Sequence, residues 1–341
     1  MTYNPAVPLI GQTLYVDSTN GNDATAERGT MGLKYKTIQA AINAAQDGDT
    51  VLIATGTYVE NLTAPTGFSR LALQALGFEN TVLTGSITWN PDSGVPQILY
   101  VVDLFISGNL NYDSTGKTGG TASFMRVKQC RVFGDWNATG LGAGNDFFQI
   151  ANCSFAVGTF TQNDCIAQIT SIAPDNSFIT NWNQGGATTS DARPLGFQVT
   201  NWTIGAGCQI VAYSTEITNI DFGGIISRFL GCDIYGTVTS ESGSYIDVRE
   251  SQISGATLVG PGQIDRKVVS IPVTTPGDGS TGNVVTIDPP LGNNDYGIIQ
   301  VPSTSATITQ TLVHDLLFNQ FQYDDPGTSQ DMLFIILRGV S

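Results

Sequence analysis

The sequence predicts an all-β chain wound as a parallel β-solenoid, with one helix near its start and a smaller β-region at its end. Composition is the first ground. The 341 residues include 39 Gly, with only 13% charged and 41% hydrophobic residues, the balance of a turn-rich β-protein able to bury a large core. The second is a recurring phrase, apolar-x-x-[Cys or Ser]-x-apolar, with a Gly two or three residues on. The third is that a single segment carries helical periodicity. Repeats of roughly 20 to 25 residues, built of short strands with no helix of their own, suit a solenoid.

Leu14-Tyr15-Val16-Asp17 reads as a strand, followed by the turn-rich Ser18-Thr19-Asn20-Gly21-Asn22-Asp23. The helix comes next, near residues 37–46. Thr37 is placed to cap it, and Ile38, Ala41, Ile42 and Ala45 share one face. Gly48 stops it, Asp49 to Ala54 is a strand, and Gly56-Thr57-Tyr58-Val59-Glu60 turns the chain. Leu71 to Ala75, Val82 to Thr84 and Ile98 to Val102 are further strands.

The phrase then appears around Cys130, Cys153, Cys232 and Ser251, with a weaker copy at Val199 to Gly205. Cys130 and Cys153 are 23 residues apart, and Cys232 and Ser251 are 19 apart. A β-sandwich competes, because short strands at close spacing also build sandwiches. Recurrence of one phrase in one order favours the solenoid. On that reading Val127, Ile150, Phe229 and Val248 stack as an apolar column, while Cys130, Cys153, Cys232 and Ser251 stack at a bend. The helix covers the exposed end of the stack, which would otherwise offer unpaired strand edges. After residue 265 the phrase stops. Residues 266–341 carry strand-like runs, among them the continuous apolar Met332 to Leu337, and form the expected C-terminal β-domain.

A net charge of −15, with Lys and Arg scattered, excludes nucleic acid as a natural partner, since phosphate binding needs a basic stripe. No apolar run reaches the roughly 18 residues of a membrane span. The start lacks a basic n-region, so the expectation is a chain made in a host cytoplasm without a signal peptide. Five cysteines cannot all pair, no C-x-x-C occurs, and the single His314 lies far from them. Buried thiols are expected, with no metal and no cofactor.

Tyr15-Val16-Asp17, Asn20-Gly21-Asn22-Asp23, Lys36 to Ile42, Gly48-Asp49-Thr50-Val51 and Gly56 to Glu60 resemble the amino-terminal cap and first coil of pectin-lyase-like proteins. The resemblance implies a right-handed parallel β-helix over residues 14–265, preceded by an arm, residues 1–13. That superfamily holds polysaccharide lyases, glycoside hydrolases, pectin esterases and phage or virus appendages. The matching residues build the cap, so they transfer fold and not activity.

Candidate chemistry is thin. Asp221, Asp233 and Asp247, if stacked on successive coils, would suit the paired carboxylates of a glycosidase or a cation site. Arg249 beside Asp247 and Glu250 is the lyase-like candidate, against the simpler reading of a solvated ion pair. The adjacent aspartates and Gly-His-Gly of the pectinases are not found. Gly116-Lys117-Thr118 ends like a phosphate loop, but Asn111 stands where the first glycine belongs. Asp47 and Asp49 are read as cap-turn residues. Trp89, Trp136 and Trp182 are candidates for a sugar-stacking face, while Trp202 falls at a core position.

The expectation is a non-enzymatic structural or host-recognition appendage of a bacteriophage or large DNA virus. It would be located in the virion as a homotrimer, with its arm on other virion proteins and host polysaccharide as ligand. The trimer follows from the viral resemblance. The alternative is a polysaccharide-degrading tailspike, lyase or hydrolase.

Overall fold

The computed structural model describes residues 11–77, 79–92, 96–117, 122–141, 146–172, 176–185, 190–223, 226–240, 245–253, 257–259, 263–265, 268–274, 283–286, 295–300, 320–323 and 331–338. The protein is all-β, with one short helix among the described residues, and its described strands between residues 13 and 265 pair in parallel. His314 and residues 1–10 of the expected arm lie outside the described residues.

One ladder runs in chain order through Thr13–Val16, Thr50–Ile53, Arg70–Ala75, Gln97–Val102, Ser123–Lys128 and the start of Asp146–Asn163. It continues through Ile166–Ser171, Asp191–Leu195, Gln209–Tyr213, Ile226–Ile234 and Tyr245–Ile253 to Gln263–Asp265. A second begins with Gly56–Tyr58, Thr81–Leu83, Phe105–Ile106 and Arg131–Val132. A third joins Leu62–Ala64, Ile87–Trp89, Leu110–Asp113 and Trp136–Thr139, then proceeds through Phe178–Gly185, Gln198–Ile204 and Glu216–Phe222 to Thr237–Ser240. Strands beyond residue 267 pair antiparallel instead, with Asp331–Arg338 between Val268–Thr274 and Asp295–Gln300.

Register makes like stack on like. In the first ladder Leu14, Val51, Leu73, Val101, Val127, Ile150 and Ile169 face one another in sequence, each fully buried. Val127 and Ile150 are neighbours as the repeat phrase implies, and Phe229 is buried in the same sheet opposite Ala212. The side chain of Val248 lies outside the described residues. In the third ladder Leu110, Trp136, Phe160, Trp182, Trp202 and Ile220 form a column. The Trp182 and Trp202 rings stack 4.4 Å apart at 10°. All four tryptophans are buried, which corrects the sugar-stacking expectation for Trp89, Trp136 and Trp182. Strand alternation turns these positions inward, where an indole buries more apolar area than any other side chain.

The helix spans Ile38–Ala44, and the Thr37 side chain accepts from the Ala40 N–H as its cap. Glu60, from the first turn, accepts the next free donors, Ile38 N–H and Gln39 N–H, each at 2.9 Å. Ile38, Ala41 and Ile42 bury their face against the first repeats. Asp49 is the keystone here, with its carboxylate bound by the Arg28 guanidinium and by the Gln12 and Gln46 N–H groups.

The recurring Cys or Ser has a backbone reason. Asp103, Gln129, Asn152, Ser214 and Gly231 each adopt positive φ, between 45° and 61°. Each is followed by an inward residue: Leu104, Cys130, Cys153, Thr215 and Cys232. At three of these bends, Leu104, Cys130 and Cys232, the next repeat supplies the acceptor for that residue's N–H. Leu104 N–H donates to Cys130 Sγ at 3.4 Å, Cys130 N–H to Cys153 Sγ at 3.3 Å, and Cys232 N–H to Ser251 Oγ at 3.1 Å. A small side chain with an acceptor atom is needed, and both Cys and Ser provide it. Cys165 and Cys208 stand outside the phrase because they follow a different bend, after Asp164 and Gly207. Burial pushes the Cys130 and Cys165 thiols up, and Cys208 to about 11, so they stay protonated and none is in a disulfide.

The trailing Gly marks a second corner. A Cβ on Gly108 would lie 2.3 Å from the Gly85 carbonyl, and one on Gly134 2.1 Å from the Gly108 oxygen. Backbones therefore touch there, and only glycine fits. The polar residue after each glycine ties adjacent repeats: Ser86 N–H donates to Asn61 Oδ1, Asn109 N–H to Ser86 Oγ, and Asp135 N–H to Asn109 Oδ1.

Candidate functional site

The outward positions of the third ladder form the most regular polar surface. Thr63, Thr88, Asn111, Asn137, Thr161, Asn183, Thr203, Asp221 and Thr239 are in register, one per repeat. They face out because their neighbours in sequence, the aromatic column among them, face in. Eight of these nine positions are uncharged Thr or Asn. A second column beside it is knitted by side-chain amides, with Asn219 Nδ2 donating to Asn201 Oδ1 at 2.9 Å and Asn201 Nδ2 to Asn181 Oδ1 at 3.0 Å. Thr237 N–H closes that run on Asn219 Oδ1 at 3.0 Å. These bonds hold the amides in fixed rotamers and leave the other donor and acceptor positions toward solvent.

At the carboxy-terminal end of this face lies an open groove of about 300 Å³, lined by Asn201, Thr203, Asn219, Asp221, Thr237 and Thr239 over a floor of Trp202 and Ile220. Closely spaced hydroxyls and amides over an apolar floor match a hydroxyl-rich ligand.

The sequence-derived carboxylates do not converge. Asp221 is exposed in the groove, in register with Thr203 and Thr239. Asp233 is half-buried in another strand, opposite Glu216 and Gln252. Asp247 stands in the first ladder, opposite Arg228 and Asp265. Three columns hold them, so the proposed stack of Asp221, Asp233 and Asp247 is corrected: gaps of 12 and 14 residues are shorter than one repeat and set them on different strands. Arg249 sits where the register slips between the pairs Arg228–Asp247 and Leu230–Glu250, and its side chain lies outside the described residues. Among the described residues no group of three His, Cys, Asp or Glu side chains is placed to hold a metal ion.

A second surface is the outer face of the first ladder. Ile98, Phe124, Phe147 and Ile166 are in register and half-buried, with the two phenyl rings stacked 4.7 Å apart at 5°. The adjacent column runs Tyr100, Arg126, Gln149, Gln168 and Arg193, with the Arg126 guanidinium 5.5 Å over the Tyr100 ring. Six of the fourteen Lys and Arg of the chain, Arg70, Arg126, Lys128, Arg193, Arg228 and Arg249, stand on these strands. Sequence reading missed this face, since its members are some 20 residues apart and meet only through register.

Compared with known proteins, the chain matches no family model, no curated protein and no solved structure.

Proposed function

We propose that the stacked repeats form a right-handed parallel β-helix of the pectin-lyase-like kind, serving as a recognition appendage of a bacteriophage or large DNA virus. Handedness rests on the general rule for parallel crossovers and on the resemblance of residues 14 to 60. The observation that carries the functional reading is the outward column of Thr and Asn, which offers a neutral, hydrogen-bonding track to an extended polysaccharide of a host surface. The scattered carboxylates favour binding over cleavage. The cation-bearing apolar face of the first ladder supports a homotrimer, because the rest of a chain of net charge −15 offers complementary acidic surface. Arg and aromatic side chains are also those enriched at protein interfaces.

Binding of the full chain to panels of neutral and acidic polysaccharides tests the ligand. Retention of a neutral polymer is expected, with loss in the double variant Thr203→Arg, Asn219→Arg. Steady release of reducing or unsaturated sugar ends would replace this reading with the glycoside hydrolase or lyase alternative. Light scattering tests assembly: a trimer is expected for the native chain and a monomer for Phe124→Glu.

A further inference from the structure

Between the Leu110–Asp113 strand and the start of Asp146–Asn163 the interior holds an ion pair. Lys117 Nζ donates to Asp146 Oδ1, and the two side chains are 1% and 2% exposed. The other carboxylate oxygen, Oδ2, accepts from Ser114 Oγ at 2.8 Å and from the Leu141 N–H at 3.0 Å. Tyr112 and Ser123 are buried on one side, with the Tyr112 hydroxyl donating to the Ser123 carbonyl at 3.3 Å. An amine and a carboxyl group are thus enclosed together, away from water, with two fixed donors on the oxygen opposite the amine.

We propose that Lys117 and Asp146 condense to an intrachain amide that locks adjacent repeats. The contact lets one ammonium proton pass from Nζ to Oδ1, which frees the Nζ lone pair. The Nζ lone pair attacks Cγ. Charge developing on Oδ2 is held by Ser114 Oγ–H and Leu141 N–H, in the manner of an oxyanion hole. Collapse of the tetrahedral species breaks the Cγ–Oδ1 bond. Oδ1 leaves as water with its own proton and a second proton from Nζ, and the third stays on the amide nitrogen. Atoms and charge balance, and nothing is oxidised or reduced. Proximity in a fixed pocket replaces the activating reagent that such a condensation needs in solution.

Intact mass spectrometry of the denatured full chain tests this. The expected mass is below the sequence mass by one water, and tryptic digestion yields a branched peptide joining the Lys117 and Asp146 segments, uncut at Lys117. Lys117→Arg keeps the charge but removes the nucleophilic amine, and its mass equals its sequence mass. Asp146→Asn releases ammonia in place of water, which gives a distinct deficit and an independent readout should the arginine variant fail to fold. A native chain at full sequence mass with tryptic cleavage at Lys117 overturns the proposal. So does a one-water deficit that persists in Lys117→Arg.

Discussion

Substitution of Cys153 separates two accounts of the bend. If the position were merely a small apolar slot, alanine would outrank serine, because a hydroxyl is harder to bury than a methyl group. The structure predicts the reverse order. Cys153 Sγ accepts the Cys130 N–H at 3.3 Å, in a site with both residues fully buried. Serine can take over this role, as Ser251 Oγ does for Cys232 N–H at 3.1 Å while donating to Phe229 O at 2.8 Å. Alanine leaves the Cys130 N–H unpaired, a loss of about 1–3 kcal/mol. It also opens a void where the sulfur was, adding about 1 kcal/mol. Urea unfolding of Cys153→Ser and Cys153→Ala, followed by far-ultraviolet circular dichroism, should place serine above alanine by about 1–2 kcal/mol. Alanine equal to or more stable than serine would refute the acceptor role.

Gly108→Ala should destabilise by about 1–3 kcal/mol through overpacking, since its Cβ would meet Gly85 backbone at 2.3 Å. Gly116→Ala, whose Cβ meets nothing within 4 Å, is the thermal-melting control expected to stay near the native value. Trp182→Ala, which removes a ring packed on Phe160 and Trp202, should cost about 3–5 kcal/mol by the same measurement.

The amino-terminal strand and helix should loosen in acid. The Asn20 backbone N–H, then the Asn20 amide and Lys34, hold the Asp17 carboxyl well below the usual range. Burial pushes Asp49 up, but the Arg28 guanidinium and the Gln46 and Gln12 N–H groups outweigh it and leave it lowered. A lowered folded value means that the unfolded chain binds more protons, so stability is present above the ordinary aspartate value of about 3.9 and is lost as pH falls below it. Hydrogen exchange in Thr13–Val16 and Ile38–Ala44 should report more opening at pH 3 than at pH 6 once intrinsic rates are divided out, and equal protection would contradict this.

Much of the architecture was legible because it is local. The Thr37 cap, the apolar face of the helix and the phrase around Cys130 and Cys153 are properties of a few consecutive residues. What stayed hidden depends on register between distant strands. Repeat length varies as loops lengthen and shorten, so the partners of Asp221, Asp233 and Asp247 could not be set by counting. Positive φ at Asp103, Gln129 and Asn152 was not signalled either, since tertiary context forces a conformation that only glycine adopts freely. Trp136 and Trp182 were placed outside because indole rings serve equally in cores and sugar sites, and only pairing parity decides. Lys117 and Asp146, 29 residues apart, meet through the fold alone.

The bends at Leu104, Cys130 and Cys232 each borrow an acceptor from the repeat that follows. A chain emerging amino-terminus first therefore presents the same kind of waiting donor at each of these three bends. In the proposed solenoid, removing or adding one whole repeat would change the height of the stack by one strand spacing, about 4.8 Å.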